Sequence, residues 1–485
     1  MEHIFRSSIT RRQVLLNVSR LGAGALAAPW LARLAAAAEG GRRPNILFIM
    51  SDDHASHALS CYGSRINRTP HLDRLAAQGA RFENAFCTNS ICGPSRATVL
   101  TGKYSHIHGV RRNGDRFDGS QPTFIKLLRD AGYQTAVIGK WHLTSDPTGF
   151  DHWNILPGQG RYYDPELILM GRRSVHKGYV TDVLTDLSIE YLSQRDPNRP
   201  FCLMCHHNAS HRPWEPSPRY AQMYEDQDIP LPPTFNDDWS GRTAPAREQE
   251  MTIERHLTRT DLKQDPPAGL SGQRLKEWKY QRFIKDYLRC VAALDDNVGR
   301  LMDWLDESKL ADNTIVVYTS DNGFFLGDHG WFDKRFMYEQ ALRVPLLIRW
   351  PGVTPAGAVI RELVINADYA PTFLDAAGIA VPADIQGRSL RGVLAGRAPQ
   401  DWRKSMYYRY YEFPQPHHAP PHYGVRTDRY KLFHYHTIDQ WEMFDLEKDP
   451  HELRSVYDDP AYADVRQELK KELARLQREL RDTPA

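Results

Sequence analysis

The sequence predicts an α/β protein built on a large, mostly parallel sheet with helices on both faces. Two short apolar runs, 45–50 and 314–318, each end directly in polar residues, as buried parallel strands do. Between them, strand-like runs alternate with stretches of helical periodicity. A chain of 485 residues is long enough for a large domain and a smaller companion. In such a sheet, ligands bind beyond the carboxyl ends of the strands.

The predicted elements of this sheet follow one another in a regular order. They are a strand at 45–50, a helix at 123–131, strands at 135–138 and 201–205, a long helix at 280–305 and a strand at 314–318. The segment 228–272 is rich in Pro, Asp, Arg and Thr and has weak periodicity. We therefore expect a surface excursion there.

Beyond residue 395 the pattern changes to short aromatic segments, which are typical of antiparallel strands. They are followed by a helix with leucines on one face. The segments are 406–411, 430–435 and 441–444, and the leucines are Leu469, Leu473, Leu476 and Leu480. We predict an export signal over 1–38, a main domain over 39–395 and an α+β C-terminal subdomain over 396–485.

The first 38 residues have the composition of a bacterial export signal. Arg11 and Arg12 precede an apolar stretch, and 21–38 is rich in Ala and Leu and ends in small residues. Paired arginines favour the twin-arginine route to the periplasm. The alternative is a membrane anchor, but Pro29 and Arg33 leave fewer than the roughly 20 apolar residues of a spanning helix. We expect cleavage and no membrane insertion afterwards.

The charge balance and the cysteine count exclude some classes of protein. With 62 basic and 60 acidic residues, the net charge of +2 does not indicate binding to nucleic acid. Six cysteines in a chain of this length do not make a disulfide framework. Cys202 and Cys205 form a CxxC pair, but their apolar run favours a buried strand over a redox or metal pair. A disulfide in an exported protein stays open.

The most specific segment is 92–102 (CGPSRATVLTG). A cysteine beside Pro and Arg would ordinarily be a packed thiol. This segment resembles the sulfatase signature C-x-P-S-R-x-x-x-L-T-G and matches it at each fixed position. The resemblance implies that a formylglycine-generating enzyme oxidises Cys92 to formylglycine before folding is complete. It also implies that Arg96 holds that residue.

A formylglycine suits the hydrolysis of a stable sulfate ester. An ordinary Ser, Thr or Cys nucleophile would leave an enzyme ester that must be hydrolysed in turn. The hydrated aldehyde carries two hydroxyls on one carbon. One attacks sulfur and expels the alcohol, and the other loses its proton as the carbon returns to the aldehyde and releases sulfate. The nucleophile is thereby regenerated.

Two polar pairs follow the first and last predicted strands, Asp52 with Asp53 and Asp321 with Asn322. Either pair alone could cap a helix. Together, three carboxylates and an amide oxygen are hard ligands suited to Ca²⁺ or Mg²⁺. The resemblance places all four, with residue Cys92, in a metal site and favours one calcium per chain. The ion would act as a Lewis acid on the sulfate oxygens.

Four basic side chains complete the candidate set: Lys140 and His142 in GKWHL, His211 in NASHRPW and Lys334 in GDHGWFDKR. Taken singly, each could be a surface lysine or a loop histidine. The resemblance implies that the lysines clamp sulfate oxygens and that one histidine orients the formylglycine hydroxyls. It makes His211 the best candidate to protonate the leaving alcohol.

The resemblance runs from about residue 44 to about residue 457 and implies an alkaline phosphatase-like sandwich, with 39–395 as the catalytic domain. The segments 287–306, 333–352 and 422–435 are most similar to the N-acetylglucosamine-6-sulfatase branch of the family. The implied substrate is a sulfated sugar or glycan, with the 6-O-sulfate of N-acetylglucosamine favoured.

Substrate contacts are expected outside the shared sulfate pocket. The segment 412–423 holds His417, His418 and His422 among prolines. This composition predicts a fixed loop over the pocket, with groups that hydrogen-bond to or stack on a sugar ring. The alternative is a solvated turn whose histidines have no role.

Two other functions stay open. One is a phosphomonoester or phosphonate hydrolase of the same superfamily, although the GKWHL histidine and Asn322 look more like a sulfatase. The other is a glycan-binding relative without turnover, which would follow if Cys92 were never converted. The intact set of clamp residues argues against a pure binding protein.

Overall fold

A ten-stranded sheet forms the centre of the protein, described here from a computed structural model over residues 43–64 and 66–483. This sheet and three smaller sheets together contain eighteen strands in the described residues. They are β1 (Asn45–Ser51), β2 (Ala80–Phe82), β3 (Ala85–Phe86), β4 (Gln134–Lys140), β5 (His152–Leu156), β6 (Glu166–Leu169), β7 (Arg172–Val175), β8 (Phe201–His206), β9 (Thr314–Ser320), β10 (Phe325–Leu326), β11 (Phe332–Asp333), β12 (Leu346–Arg349), β13 (Ala358–Ile360), β14 (Val364–Ile365), β15 (Ser405–Tyr410), β16 (His422–Thr427), β17 (Tyr430–Tyr435) and β18 (Gln440–Asp445). The predicted export signal lies outside the described residues.

The helices pack around this sheet. They are α1 (Pro70–Gln78), α2 (Cys92–Thr101), α3 (Ser105–His108), α4 (Phe124–Asp130), α5 (Val180–Gln194), α6 (Pro245–Glu248), α7 (Ile253–His256), α8 (Arg259–Leu262), α9 (Gly272–Glu307), α10 (Glu339–Leu342), α11 (Tyr369–Ala376), α12 (Arg391–Leu394) and α13 (Ala463–Leu480). The side chain of Thr123 caps α4 by accepting a hydrogen bond from the backbone N–H of Lys126. In the part of the chain that the structure describes, no helix combines the length and the apolarity needed to cross a membrane.

The central sheet has the strand order β13-β2-β12-β9-β1-β8-β4-β5-β6-β7. Strands β9, β1, β8, β4 and β5 are parallel to one another, and antiparallel pairs occur toward both edges. The four strands predicted from apolar runs are adjacent in the middle of the sheet. The predicted fold class, a mostly parallel sheet flanked by helices, is confirmed.

Alternate residues of β1 point into two different cores. Ile46, Phe48 and Met50 belong to one buried cluster, which α11 and the C-terminal sheet complete. Leu47 and Ile49 belong to the other, which α5 and α9 complete. Burying one such side chain stabilises the fold by about 1.5–3 kcal/mol. A parallel sheet needs this cover on both faces.

The CxxC pair lies inside this double-layered core. Cys202 and Cys205 are both on β8, and their side chains are buried in different cores. All six cysteines are free. The interpretation of the pair as part of a buried strand is therefore confirmed.

Strands β15 to β18 form a separate antiparallel sheet in sequence order, and α13 follows it. The predicted face of α13 is buried through Leu469, Leu473, Leu476 and Leu480. The sequence pattern does not predict β16, because Gly424 and Arg426 interrupt its apolar character. Yet β16 lies in the middle of this sheet, between β15 and β17.

The segment 228–272 is packed more firmly than expected. Ile229, Phe235, Met251 and Ile253 are buried, and the segment contains α6, α7 and α8. The prediction of a surface excursion is wrong for these residues. Isolated apolar side chains anchor an irregular chain without producing a periodic pattern.

Gly139 allows β4 to lie against β8 just before Lys140. Its φ is 109°, and a Cβ atom there would lie 1.9 Å from the carbonyl oxygen of His206. Gly139→Ala should therefore lower the free energy of unfolding by more than about 4 kcal/mol, or prevent folding. The urea midpoint of the purified variant measures this change.

Gly132→Ala is the matched control, because φ there is 94° but no atom lies within 4 Å of the added Cβ. Backbone strain alone should lower stability by about 1–2 kcal/mol. Equal losses for the two variants would show that the contact with His206 is not limiting.

Candidate active site

The predicted site residues converge at the carboxyl edge of the central sheet. Asp52 and Asp53 follow from the end of β1, Asp321 and Asn322 follow β9, and Lys140 ends β4. These strands lie in the order β9-β1-β8-β4, so their ends meet. We call Asp52, Asp53 and Asp321 the acidic cluster. All three are buried.

Cys92 reaches the acidic cluster from α2, of which it is the first residue. Its Sγ atom lies 3.2 Å from Asp52 Oδ1. Burial, reinforced by the charge of Asp52, raises the pKa of the Cys92 thiol well above its ordinary value. The thiol is therefore protonated and is not itself prepared as a nucleophile.

Arg96 lies one helical turn after Cys92 and faces the same side of α2. Its Nε atom donates to Asp321 Oδ2 at 2.9 Å, and its Nη1 atom donates to the carbonyl oxygen of Lys140, also at 2.9 Å. The side chain is buried. Arg96 thus ties α2 to the ends of β9 and β4.

Two buried lysines form ion pairs with the acidic cluster. Lys140 Nζ forms an ion pair with Asp52, and it also donates to Gln159 Oε1. Lys334 Nζ lies 2.5 and 2.6 Å from the two carboxylate oxygens of Asp53. These pairs are inside the protein, where loss of one partner would leave an uncompensated charge and cost about 3–5 kcal/mol.

The cations do not balance the three carboxylates equally. Burial acts to raise the pKa of each of the three carboxyl groups. At Asp52 the charges of Lys140 and Arg96 have a larger effect than burial, and the pKa is lowered. At Asp53, burial outweighs Lys334 and the pKa is raised. The pKa of Asp321 is also raised, by burial and by the charge of Asp52. More positive charge would be needed to keep all three ionised.

Both predicted histidines border this cluster. His211 donates from Nδ1 to the carbonyl oxygen of Arg212 at 2.7 Å, which leaves Nε2 facing Asp53 Oδ2 at 3.8 Å. Burial, aided by the charge of Lys140, lowers the pKa of His211 to about 3. Burial and Lys140 also lower the pKa of His142, whose buried Nδ1 has no partner among the described residues. Both imidazoles are neutral.

The side-chain amide of Asn322 contacts the acidic cluster at Asp53. Its Nδ2 atom donates to Asp53 Oδ1 at 2.7 Å, whereas its buried Oδ1 has no partner among the described residues. A buried acceptor left without a donor costs about 1–3 kcal/mol. Such an atom is suited to ligate a cation.

A hydrogen-bond network that the sequence does not predict supports the segments bearing Cys92 and Lys334. Gly93 N–H donates to Asn113 Oδ1 at 2.9 Å, and Asn113 N–H donates to Glu412 Oε1 at 3.2 Å. Arg335 Nη1 donates to Glu412 Oε2 at 2.6 Å. The Glu412 carboxylate of the C-terminal subdomain therefore contacts the neighbour of Lys334 directly and the start of α2 through Asn113.

The residues on either side of Lys334 have unusual backbone conformations. The φ angles of Asp333 and Arg335 are 74° and 100°, in the left-handed region that residues other than glycine rarely adopt. Each such residue costs of order 1–3 kcal/mol and persists only where surrounding contacts hold it. Arg335 Nε lies 3.3 Å from Asp333 Oδ1, which provides part of that support.

Comparison with known proteins identifies this arrangement. The sequence profile of the sulfatase family matches residues 44–379, and the profile described as N-sulphoglucosamine sulphohydrolase, C-terminal, matches residues 327–479. The chain belongs to the sulfatase family. This sulfatase is 46% identical over 490 residues to the N-acetylglucosamine-6-O-sulfatase of Bacteroides thetaiotaomicron, with 92% of this chain and 88% of the relative covered.

Solved structures agree with this assignment. A protein in complex with its substrate D-glucosamine-2-N,6-O-disulfate matches the sulfatase with a TM-score of 0.89 and 46% identity, covering 91% of this chain and 99% of that one. The phosphonate monoester hydrolase of Agrobacterium radiobacter matches with a TM-score of 0.71 and 23% identity, over 90% and 96% of the two chains. The second likeness shows a shared fold alone. The predicted alkaline phosphatase-like architecture and sulfatase activity are confirmed.

The three histidines predicted on a loop over the pocket lie in three different environments. His417 Nε2 lies 3.1 Å from Asp333 Oδ2, close to Lys334. The ring of His418 packs against Phe413. His422 is the first residue of β16, and its ring is buried among aromatic side chains.

The prediction that His422 contacts substrate from a loop is therefore wrong. The side chain of His422 is 0% exposed, and its Nδ1 atom donates to the carbonyl oxygen of Pro420 at 2.8 Å. The rings of Tyr408, Tyr410 and Tyr435 lie 5.1–5.6 Å from it, centroid to centroid. In sequence alone, a histidine in an aromatic core is indistinguishable from one on an exposed loop.

Glu412→Gln should weaken catalysis by this sulfatase without unfolding it. In Glu412, one carboxylate oxygen accepts from the N–H of Asn113 and the other from Arg335. A glutamine side chain has only one acceptor oxygen, so one of these two hydrogen bonds would be lost. A hydrogen bond to a charged group contributes about 1.5–3 kcal/mol, so kcat/KM should fall roughly tenfold or more. Steady-state kinetics on a soluble aryl sulfate measures the effect, with Tm followed in parallel.

Glu447→Gln is the matched control, because the Glu447–Arg429 pair in the same subdomain is exposed. That variant should keep full activity. An unchanged kcat/KM for Glu412→Gln, or a loss explained by a lower Tm, would contradict a role for Glu412 in positioning the active-site loops.

Proposed function

We propose that this sulfatase removes the 6-O-sulfate of N-acetylglucosamine or of a related glycan sugar, with a formylglycine at position 92 and one bound calcium. The observation that carries the proposal is the placement of Cys92 beside the acidic cluster and the two lysines, in a chain closely related to an N-acetylglucosamine-6-O-sulfatase. A sulfated glucosamine is also the substrate bound in the matching solved structure.

The acidic cluster fits a divalent cation. One ligand atom each from Asp52, Asp53, Cys92 and Asp321 lies within 4.8 Å of the others. The unpartnered Oδ1 of Asn322 is a further oxygen donor. This set of hard oxygens favours calcium or magnesium over softer metals. When bound, a calcium ion would supply Lewis-acid stabilisation of charge on the sulfate oxygens.

The sulfate ester is proposed to bind where Lys140 and Lys334 approach the start of α2. When formed, formylglycine would supply the attacking hydroxyl and the route by which sulfate is released. The ammonium groups would donate hydrogen bonds to sulfate oxygens, and Arg96 would hold α2 against Asp321 during the reaction. Charged donors fixed in a buried site stabilise developing negative charge without reorganisation.

His211 is the proposed general acid. The carbonyl oxygen of Arg212 fixes its Nδ1–H, so Nε2 is the nitrogen that faces the reacting groups. Its pKa is low in this state because the site is buried and cationic. An anionic substrate would raise that pKa and let Nε2 carry the proton that the leaving oxygen needs. His142, two residues after Lys140 in the chain, would orient the nucleophilic hydroxyl.

Selection of a sugar is proposed to depend on charged groups next to Lys334. Asp333, Arg335, Glu412 and His417 form one buried or nearly buried network. Carboxylate and guanidinium groups are suited to hydrogen-bond neutral hydroxyls. His417 would act by holding Asp333, whereas a contact between His418 and substrate stays a prediction.

Export and maturation of the protein are also part of the proposed function. The leader would export the chain to the bacterial periplasm, and a formylglycine-generating enzyme would convert Cys92 before folding is complete. The catalytic part would comprise 39–395, and 396–485 would complete the sugar site through Glu412 and His417.

Co-expression with a formylglycine-generating enzyme should yield protein that releases sulfate from N-acetylglucosamine 6-sulfate. Protein made without that enzyme should keep the thiol and be inactive. Mass spectrometry of the tryptic peptide containing residue 92 and sulfate release measure the two properties together. Cys92→Ala should be inactive with an unchanged Tm.

A panel of sulfates separates the parts of this proposal. Cleavage of 2-O- or 4-O-sulfated sugars, with none of any 6-sulfated hexosamine, would refute the substrate. Full activity with an intact thiol at residue 92 would refute the nucleophile. Faster cleavage of phosphate or phosphonate esters would favour the other hydrolase activity of the superfamily.

Exhaustive chelation should reduce kcat more than about 100-fold, because a Lewis acid at a sulfuryl group contributes several kcal/mol. Added calcium should restore the activity. Metal analysis accompanies the assay, and the expected content is one ion per chain. Undiminished turnover by protein shown to be metal-free would rule out the cation site.

A further inference from the structure

A groove opens beside the active site at the same edge of the central sheet. It has a volume of about 450 Å³, and His142 is one of its lining residues. Strands β4 and β5 are parallel neighbours, with Leu156 paired with Lys140. Leu156 also lines the groove. The groove therefore begins one strand away from Lys140, a spacing of about 4.8 Å.

The groove combines an apolar floor with charged walls. Trp141, Ile155 and Leu156 are buried and form the floor. Arg116 lies on one wall, and Arg173, on the β6–β7 hairpin, lies on another. Both arginines are exposed. An apolar surface bordered by guanidinium groups suits a sugar ring that carries an acidic substituent.

Acidic residues do not cancel this positive charge. Arg173 Nη1 lies 3.1 Å from Glu166 Oε1, in an exposed pair that contributes little and leaves other donors free. Arg116 Nη1 has a long contact of 3.4 Å with the carbonyl oxygen of Thr144. No carboxylate in 43–64 or 66–483 lies within ion-pair distance of Arg116. Asp146 is the one acidic residue among those lining the groove.

We propose that this groove binds the sugar next to the one that loses its sulfate, and that Arg116 and Arg173 contact an acidic group on it. The acidic group is a carboxylate or a second sulfate. The inference rests on the proposed function, since it requires a glycan sulfate at Lys140 and His142. A volume of about 450 Å³ lies within the usual range for sites that bind small ligands.

The geometry gives the two arginines a role distinct from that of the lysines. Lys140 and Lys334 are buried beside Asp52 and Asp53, where the proposed sulfate ester would bind. Arg116 and Arg173 are exposed and line the groove, so they would contact only a group that extends past His142. Removing them should therefore leave hydrolysis of a single sugar intact and weaken only the preference for an acidic neighbour.

The test compares four substrates. One is N-acetylglucosamine 6-sulfate, and three are disaccharides that join this unit to a hexuronic acid, a neutral hexose or a sulfated hexose. Wild type should show a kcat/KM at least about tenfold higher on an acidic disaccharide than on the neutral one. Arg116→Ala combined with Arg173→Ala should remove that ratio while changing the monosaccharide value less than about twofold.

Arg172→Ala is the control, because Arg172 is the exposed neighbour of Arg173 on β7 and does not line the groove. It should leave all four values unchanged. The two acidic disaccharides show whether the arginines contact a carboxylate, a sulfate or both. An equal loss on neutral and acidic substrates, or no acidic preference in wild type, would overturn the groove assignment.

The monosaccharide reports on the proposed function alone. If wild type hydrolyses an aryl sulfate but none of the four sugar sulfates, the substrate proposal fails and the groove assignment fails with it. If the monosaccharide is cleaved and the acidic preference is absent, only the groove assignment fails.

Discussion

The rest of the structure depends on one constraint: the negative charge of the buried acidic cluster must be offset by nearby cations. Asp52, Asp53 and Asp321 lie at strand ends away from water, where an unpaired charge costs several kcal/mol. Arg96, Lys140 and Lys334 come to them from three separate segments of the chain. No single segment can form this centre alone. These ion pairs can form only once the sheet has assembled.

Under the proposed function, the same cations serve two purposes. In the structure, Lys140 and Lys334 donate to carboxylates of the cluster. A sulfate ester would offer these ammonium groups new acceptors, while a metal ion would take over part of the compensation of the carboxylates. Substrate, metal and lysines would then form one electrostatic unit. The residues that stabilise the resting fold would also be those that stabilise the reacting group.

Much of this architecture follows from local patterns in the sequence. Apolar runs mark β1, β4, β8 and β9, and the carboxyl ends of parallel strands meet at one edge. That rule alone brings Asp52 close to Asp321. The identity of the nucleophile needed the family signature, because Cys92 by composition is an ordinary packed thiol. Gln159, Asn113 and Glu412 were not predicted, since polar residues in irregular segments carry no periodic signal. His422 was assigned wrongly for the converse reason: only the three-dimensional packing reveals its aromatic surroundings.

Under the proposed function, burial of the entire helix α2 would set an order of events for the newly made chain. In the folded protein the side chain of residue 92 is 0% exposed, so a modifying enzyme would need at least local unfolding to reach it. Under the proposed function, folding would therefore compete with the oxidation of Cys92, and only a chain oxidised before folding would gain the nucleophile. A chain that folded first would keep the thiol and be inactive. The specific activity of a preparation would then depend on the rate of oxidation relative to the rate of folding. Slower folding would yield more active molecules.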